Sequence, residues 1–143
     1  MSRVRAAAVV VATIGLAGCG STAHFADKSR PATPVNLGVY VNDRQVSAAP
    51  STVGAGPVVF LVSNGAARTE LVTIRPAAGG GSTASTGPIN PGTTAQVQAD
   101  LATGTYMVTS TPAGGAAGGR TIKPATLHIG TARPNGNNAV MQP

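Results

Sequence analysis

Apolar residues fall in two patterns along the 143-residue chain. From Ala6 to Leu16 they run without interruption ("AAAVVVATIGL"), and the polar stretch "GSTAHFADKSRPATP" follows from Gly20 to Pro34. Beyond Pro34 the apolar positions come in short groups, often alternating with polar ones and parted by Gly, Pro, Asn and Ser. Alternation with a period of two is the mark of strands, whose successive side chains point to opposite faces. The predicted strands are "VNLGVYV" (35–41), "RQVSA" (44–48), "GPVVFLVSN" (56–64), "TELVTI" (69–74), "TTAQVQADL" (93–101), "GTYMVTS" (104–110) and "ATLHIG" (125–130). Asn42–Asp43 reads as a hairpin turn, and Pro91–Gly92 marks another tight turn. "AAGGGSTASTG" (77–87) and "TPAGGAAGG" (111–119) read as glycine-rich loops, and "TARPNGNNAVMQP" as a disordered tail. Nothing after the first block keeps a helical period. Short strands at intervals of roughly 8–12 residues, punctuated by turns, point to an all-β sandwich or barrel.

The first apolar block has its own meaning. Arg3 and Arg5 precede it, and the small residues Ala17 and Gly18 close it before Cys19, the only cysteine. A positive n-region, an apolar h-region and a small-residue end make a secretory signal. The run is shorter than the ~20 residues a membrane-spanning helix needs. "LAGC" (16–19) resembles the lipobox of bacterial lipoprotein signals. That resemblance implies cleavage before Cys19, a diacylglyceryl group on its sulfur, and a new amine open to acylation. Two or more acyl chains, at ~0.8 kcal/mol per buried methylene, anchor stably where one is marginal. The organisation expected is a signal peptide (1–18), a lipidated Cys19 with a polar tether (19–34), a β-sandwich (35–130) and a tail (131–143). The expected location is the extracytoplasmic face of the cell membrane, with the membrane itself as a partner through the lipid.

Removing the signal lowers the formal charge from +6 to +4, because Arg3 and Arg5 leave with it. The remaining cations are scattered, and the aromatics are only Phe25, Tyr40, Phe60 and Tyr106. Single-strand binding needs aromatic faces along a basic groove, so nucleic acid is not an expected partner. With no second cysteine, no intramolecular disulfide forms, and a packed core must hold the domain.

The ordered segments "GPVVFLVSN…TELVTI…TGPINPGTTAQVQADLATGTYMV" resemble the cupredoxin-like Greek-key β-sandwich. The family pattern is a strand ending in Asn, a strand opening with a ligand, Pro-Gly, an alternating strand, then a Gly-Thr-Tyr strand. The resemblance covers about residues 35–130 and is nearest to the cupredoxin-like domain of bacterial periplasmic iron-uptake lipoproteins, which carries a similar Thr-Glu segment. It implies that the first histidine ligand's place falls at Glu70, two alternations before Ile74, and that the family cysteine's place falls at Ser110. A type-1 copper centre needs a thiolate, two imidazoles and usually a weak thioether. Residue type therefore excludes blue copper here.

Other metal sites have little to build on. His24 lies in the tether, and His128 faces solvent if Leu127 and Ile129 face the core. Glu70 and His128 are the remaining metal candidates, Asp100 being the nearest other acid in sequence. Met107, beside Tyr106, reads as a packing residue. Glu70 reads equally as a structural carboxyl paired with Arg68 or Arg120. Iron(II) would need at least two more hard or imidazole ligands beside Glu70. Catalysis has less support, since paired carboxylates, a Ser-His-Asp set and zinc spacing are absent. The expectation is no cofactor and no enzyme. What remains is a lipid-anchored interaction or scaffold module with an unidentified protein partner, or else an accessory in metal uptake argued from fold alone.

Overall fold

The computed structural model describes residues 31–115 and 121–134. The signal segment, Cys19, His24 and Arg120 lie outside the described residues. Eight strands form: β1 (Val35–Val41), β2 (Val46–Ala49), β3 (Thr52–Asn64), β4 (Glu70–Pro76), β5 (Ala84–Ser85), β6 (Thr94–Leu101), β7 (Gly104–Pro112) and β8 (Ala125–Ala132). Among the described residues, no helix is long and apolar enough to cross a membrane.

The strands make two sheets that share β3. In the first, β2 pairs antiparallel with β1, β1 parallel with β3, and β3 antiparallel with β6. In the second, the start of β3 pairs parallel with β8, and β8, β7, β4 and β5 follow in antiparallel order. The chain crosses between the sheets after β3, after β5 and after β6, as Greek-key sandwiches do. The expected all-β sandwich is therefore the observed fold. The segments carrying the cupredoxin resemblance become β3, β4, the Pro91–Gly92 turn, β6 and β7, in that order.

Alternation places the core. Leu37, Val39 and Val41 of β1 and Val58, Phe60 and Val62 of β3 are all buried. From the second sheet, Val72, Ile74, Tyr106, Val108, Leu127 and Ile129 are buried in the same cluster. Two inner apolar faces with polar outer positions are what sheet-on-sheet packing requires.

The turns follow their local chemistry. Asn42 Oδ1 accepts from the backbone N–H groups of Arg44 and Gln45, each at 2.9 Å, and so shapes the β1–β2 hairpin. Gly92 has φ +72°, and Thr93 N–H donates to Asn90 O at 3.1 Å. Proline followed by a positive-φ glycine is the sequence of a type II turn. The Tyr106 hydroxyl donates back to Ala102 O at 3.1 Å, which braces the β6–β7 turn and gives the Gly-Thr-Tyr segment a structural reason.

Several boundaries differ from the sequence reading. β3 begins at Thr52 instead of Gly56, β4 runs on to Pro76, and β7 to Pro112. β5 forms inside the segment read as a loop, because Thr73 and Ile74 of β4 offer it a free edge. β8 extends to Ala132, two residues past the expected domain end. Arg133 is also engaged: its guanidinium donates to Ala55 O, Pro57 O and Thr33 O. The folded unit thus reaches Arg133 at one end and holds the last tether residues at the other. The reason is tertiary, since those carbonyls come from β3 and from the segment before β1.

Candidate functional site

The end of the sandwich where the resemblance would place ligands is built around three buried polar residues. Asn64, 1% exposed, closes β3. Its amide donates to Arg68 O at 2.8 Å and Ile89 O at 2.7 Å, and its Oδ1 accepts from Ala66 N–H at 2.9 Å. One side chain thereby shapes the β3–β4 connection and ties it to the segment before β6. Glu70 opens β4 and exchanges two backbone hydrogen bonds with Ile89, at 3.0 and 2.9 Å. Its side chain is fully buried on the inner face, in line with Val72 and Ile74.

Ser110 completes the group. It lies on β7 opposite Val72, on the same inner face, and its hydroxyl donates to Glu70 Oε2 at 2.8 Å. A buried carboxyl group costs free energy unless hydrogen bonds replace its lost water, and Ser110 supplies one. The sequence reading considered Glu70 with Arg68 or Arg120; Arg68 is exposed, and the bond described here is to Ser110. Two positions separated by 40 residues, each assigned to a copper ligand by the resemblance, meet as a carboxyl and a hydroxyl.

That donor set does not fit copper. Neither group is a thiolate or an imidazole, and each is already engaged with the other. A serine donating to a carboxyl is also only part of a nucleophile–base–orienter set, which calls for a third group. His128 does not provide one. It is exposed on the outer face of β8, paired across the strands with Thr52 and Thr105, and its Nδ1 is 3.5 Å from Thr105 Oγ1. Glu70 faces inward from the same sheet, so these two metal candidates do not converge. Asp100 is exposed on β6 of the other sheet, and among the described residues no three of His, Cys, Asp or Glu come together. Met107 is half-buried on the outer face of β7, while its neighbour Tyr106 enters the core.

Sequence reasoning missed Asn64 as an organiser and Ser110 as a partner of Glu70. The signal for Asn64 was its place at a strand end before Gly65, where a short amide can bond the turning backbone. The Ser110–Glu70 pairing had no sequence signal beyond the resemblance.

No protein-family model matches the chain, and no curated protein does. The chain is similar to two solved structures at low identity. One is a dithionite-reduced auracyanin from the photosynthetic bacterium Roseiflexus castenholzii, with 16% identity, covering 68% of this chain and 98% of that one at a TM-score of 0.49. The other is a multicopper oxidase with 13% identity, covering 76% of this chain and 49% of that one, also at 0.49.

Proposed function

We propose that this protein is a lipid-anchored, extracytoplasmic interaction module on a cupredoxin-like sandwich, working by contact with a protein partner and not by redox or hydrolytic chemistry. The observation that carries this reading is the Ser110–Glu70 hydrogen bond. A structural pair occupies the two places where the resemblance calls for a histidine and a cysteine. The anchor rests on the signal-like segment and "LAGC" box ending at Cys19. Outer-face residues are left as the means of recognition.

The second reading is an accessory role in iron or copper handling. It is favoured by one observation, a carboxyl group at a ligand position, Glu70. Titration separates the two. The full chain with Cys19→Ser, which leaves no thiol, is titrated calorimetrically with Cu(II), Cu(I), Fe(II) and Zn(II). The interaction reading expects no stoichiometric sub-micromolar binding; weak binding that vanishes when His24 and His128 are both changed to Ala is compatible with it. Tight stoichiometric binding that Glu70→Gln abolishes overturns it in favour of metal handling.

A further inference from the structure

Two concavities lie on the outer faces of the sandwich. The smaller, about 380 Å³, surrounds Gly38 on the first sheet between exposed Tyr40 and Leu61, and no charged residue lines it. The larger, about 710 Å³, lies on the second sheet. Leu71 lines it from β4, Met107 and Pro112 from β7, and Ile122 and Pro124 from the connection between β7 and β8. Arg75 is its only charged lining residue among the described residues. The volume falls within the range of small-molecule sites, which are mostly apolar with a few placed polar groups.

Arg75 gives this groove its chemistry. It is exposed, and its side chain makes no hydrogen bond or ion pair among the described residues. None of the described acids pairs with it there. Asp43 accepts from Ala67 N–H, Asp100 is on the other sheet, and Glu70 faces the interior of its own strand. The guanidinium is paired in register with Met107, and Leu71 stands four residues back along the same face, about 13 Å away at strand spacing. A cationic end and an apolar run therefore share one face. Thr109, between them on β7, adds a hydroxyl.

We propose that this groove binds a small amphiphilic carboxylate, a medium-chain fatty acid being the simplest form. The carboxylate accepts from the Arg75 guanidinium, whose planar fork suits two parallel N–H···O bonds. The apolar body lies along Met107 and Leu71 toward Pro112. This proposal is independent of whether Cys19 is lipidated and of whether Glu70 takes part in metal binding.

The test uses the full chain with Cys19→Ser, so that no attached acyl group competes, labelled with ¹³C at the methionine methyls. The chain has three methionines, Met1, Met107 and Met141; Met107 is the one among the described residues, and it lines the groove. Titration with dodecanoate below its micellar concentration is expected to shift the Met107 methyl saturably. Arg75→Gln should weaken binding by about tenfold, the scale of one charge-assisted hydrogen bond. Arg75→Lys, which keeps the charge, should weaken it less. The unsubstituted arginine should also prefer dodecanoate to uncharged 1-dodecanol by about tenfold, a comparison that needs no folded variant. A Met107 methyl that does not move overturns the proposal. So does equal binding of acid and alcohol, or full retention of affinity in a folded Arg75→Gln protein.

Discussion

The Ser110 hydroxyl reaches the one fully buried carboxyl side chain of the described residues across the inner face of the second sheet. Hydrogen bonds to such groups contribute about 1.5–3 kcal/mol when the carboxyl is charged and about 1 kcal/mol when it is neutral. Ser110→Ala is therefore expected to lower stability by about 1–3 kcal/mol, read from the midpoint of urea unfolding. Ser110→Cys would place a thiol where the resemblance expects one, yet blue copper also needs two imidazoles, and Glu70 offers none. Cu(II) added to that variant should give no intense blue colour; a strong thiolate-to-copper band would show that the missing imidazoles are recruited from elsewhere. At this scale the sequence was legible as residue type and side: Glu70 inward, His128 outward. It was silent on the pairing, because the two partners are 40 positions apart and only the sheet register of β4 against β7 joins them.

β3 is the element on which both sheets depend. Its first residues pair with β8, its later ones with β1 and β6, and the register shifts between Gly54 and Ala55. A bulge of this kind bends the strand and lets it pass from one sheet to the other. Gly54 is needed there for space. A Cβ would stand 2.6 Å from Arg133 Cγ and 2.9 Å from Thr131 O. Gly54→Val is expected to destabilise the domain by about 1–3 kcal/mol through overpacking, visible as a lower unfolding midpoint. Further along, Phe60 is fully buried between Val58 and Val62. Phe60→Ala removes most of that side chain and should cost about 3–5 kcal/mol. Against the ~5–15 kcal/mol of a typical domain, this leaves the variant largely unfolded on warming, and an unchanged melting temperature would contradict the packing. The alternation in "VVFLVSN" placed Phe60 correctly. It did not reach Thr52–Ala55, where Gly54 interrupts the pattern and pairing alone defines the strand.

At the scale of the molecule, the sandwich and the proposed attachment are separate matters. All the described strands and core fall between Val35 and Ala132, well after Cys19. Cys19→Ala is thus expected to move the protein from the membrane fraction to the soluble exported fraction, or to leave it unprocessed, with the domain still folded. Labelling with radioactive palmitate checks this, and continued incorporation in the variant would refute the anchor.

Composition and local periodicity determined the all-β class, most strand positions, and the turns at Asn42 and Pro91–Gly92. These are short-range properties: alternation records which face of a strand is buried, and Pro, Gly and Asn carry their own backbone preferences. Tertiary structure alone decided three other matters. It joined Ser110 to Glu70, it drew Thr33 and Arg133 into the folded unit, and it aligned Leu71, Met107 and Arg75 along one outer groove. Each depends on which strands become neighbours and in what register. A one-residue slip in β7 would turn Ser110 outward and Met107 into the core, because the side-chain period is two. Register is set by the whole core closing at once, and no local stretch of the chain contains it.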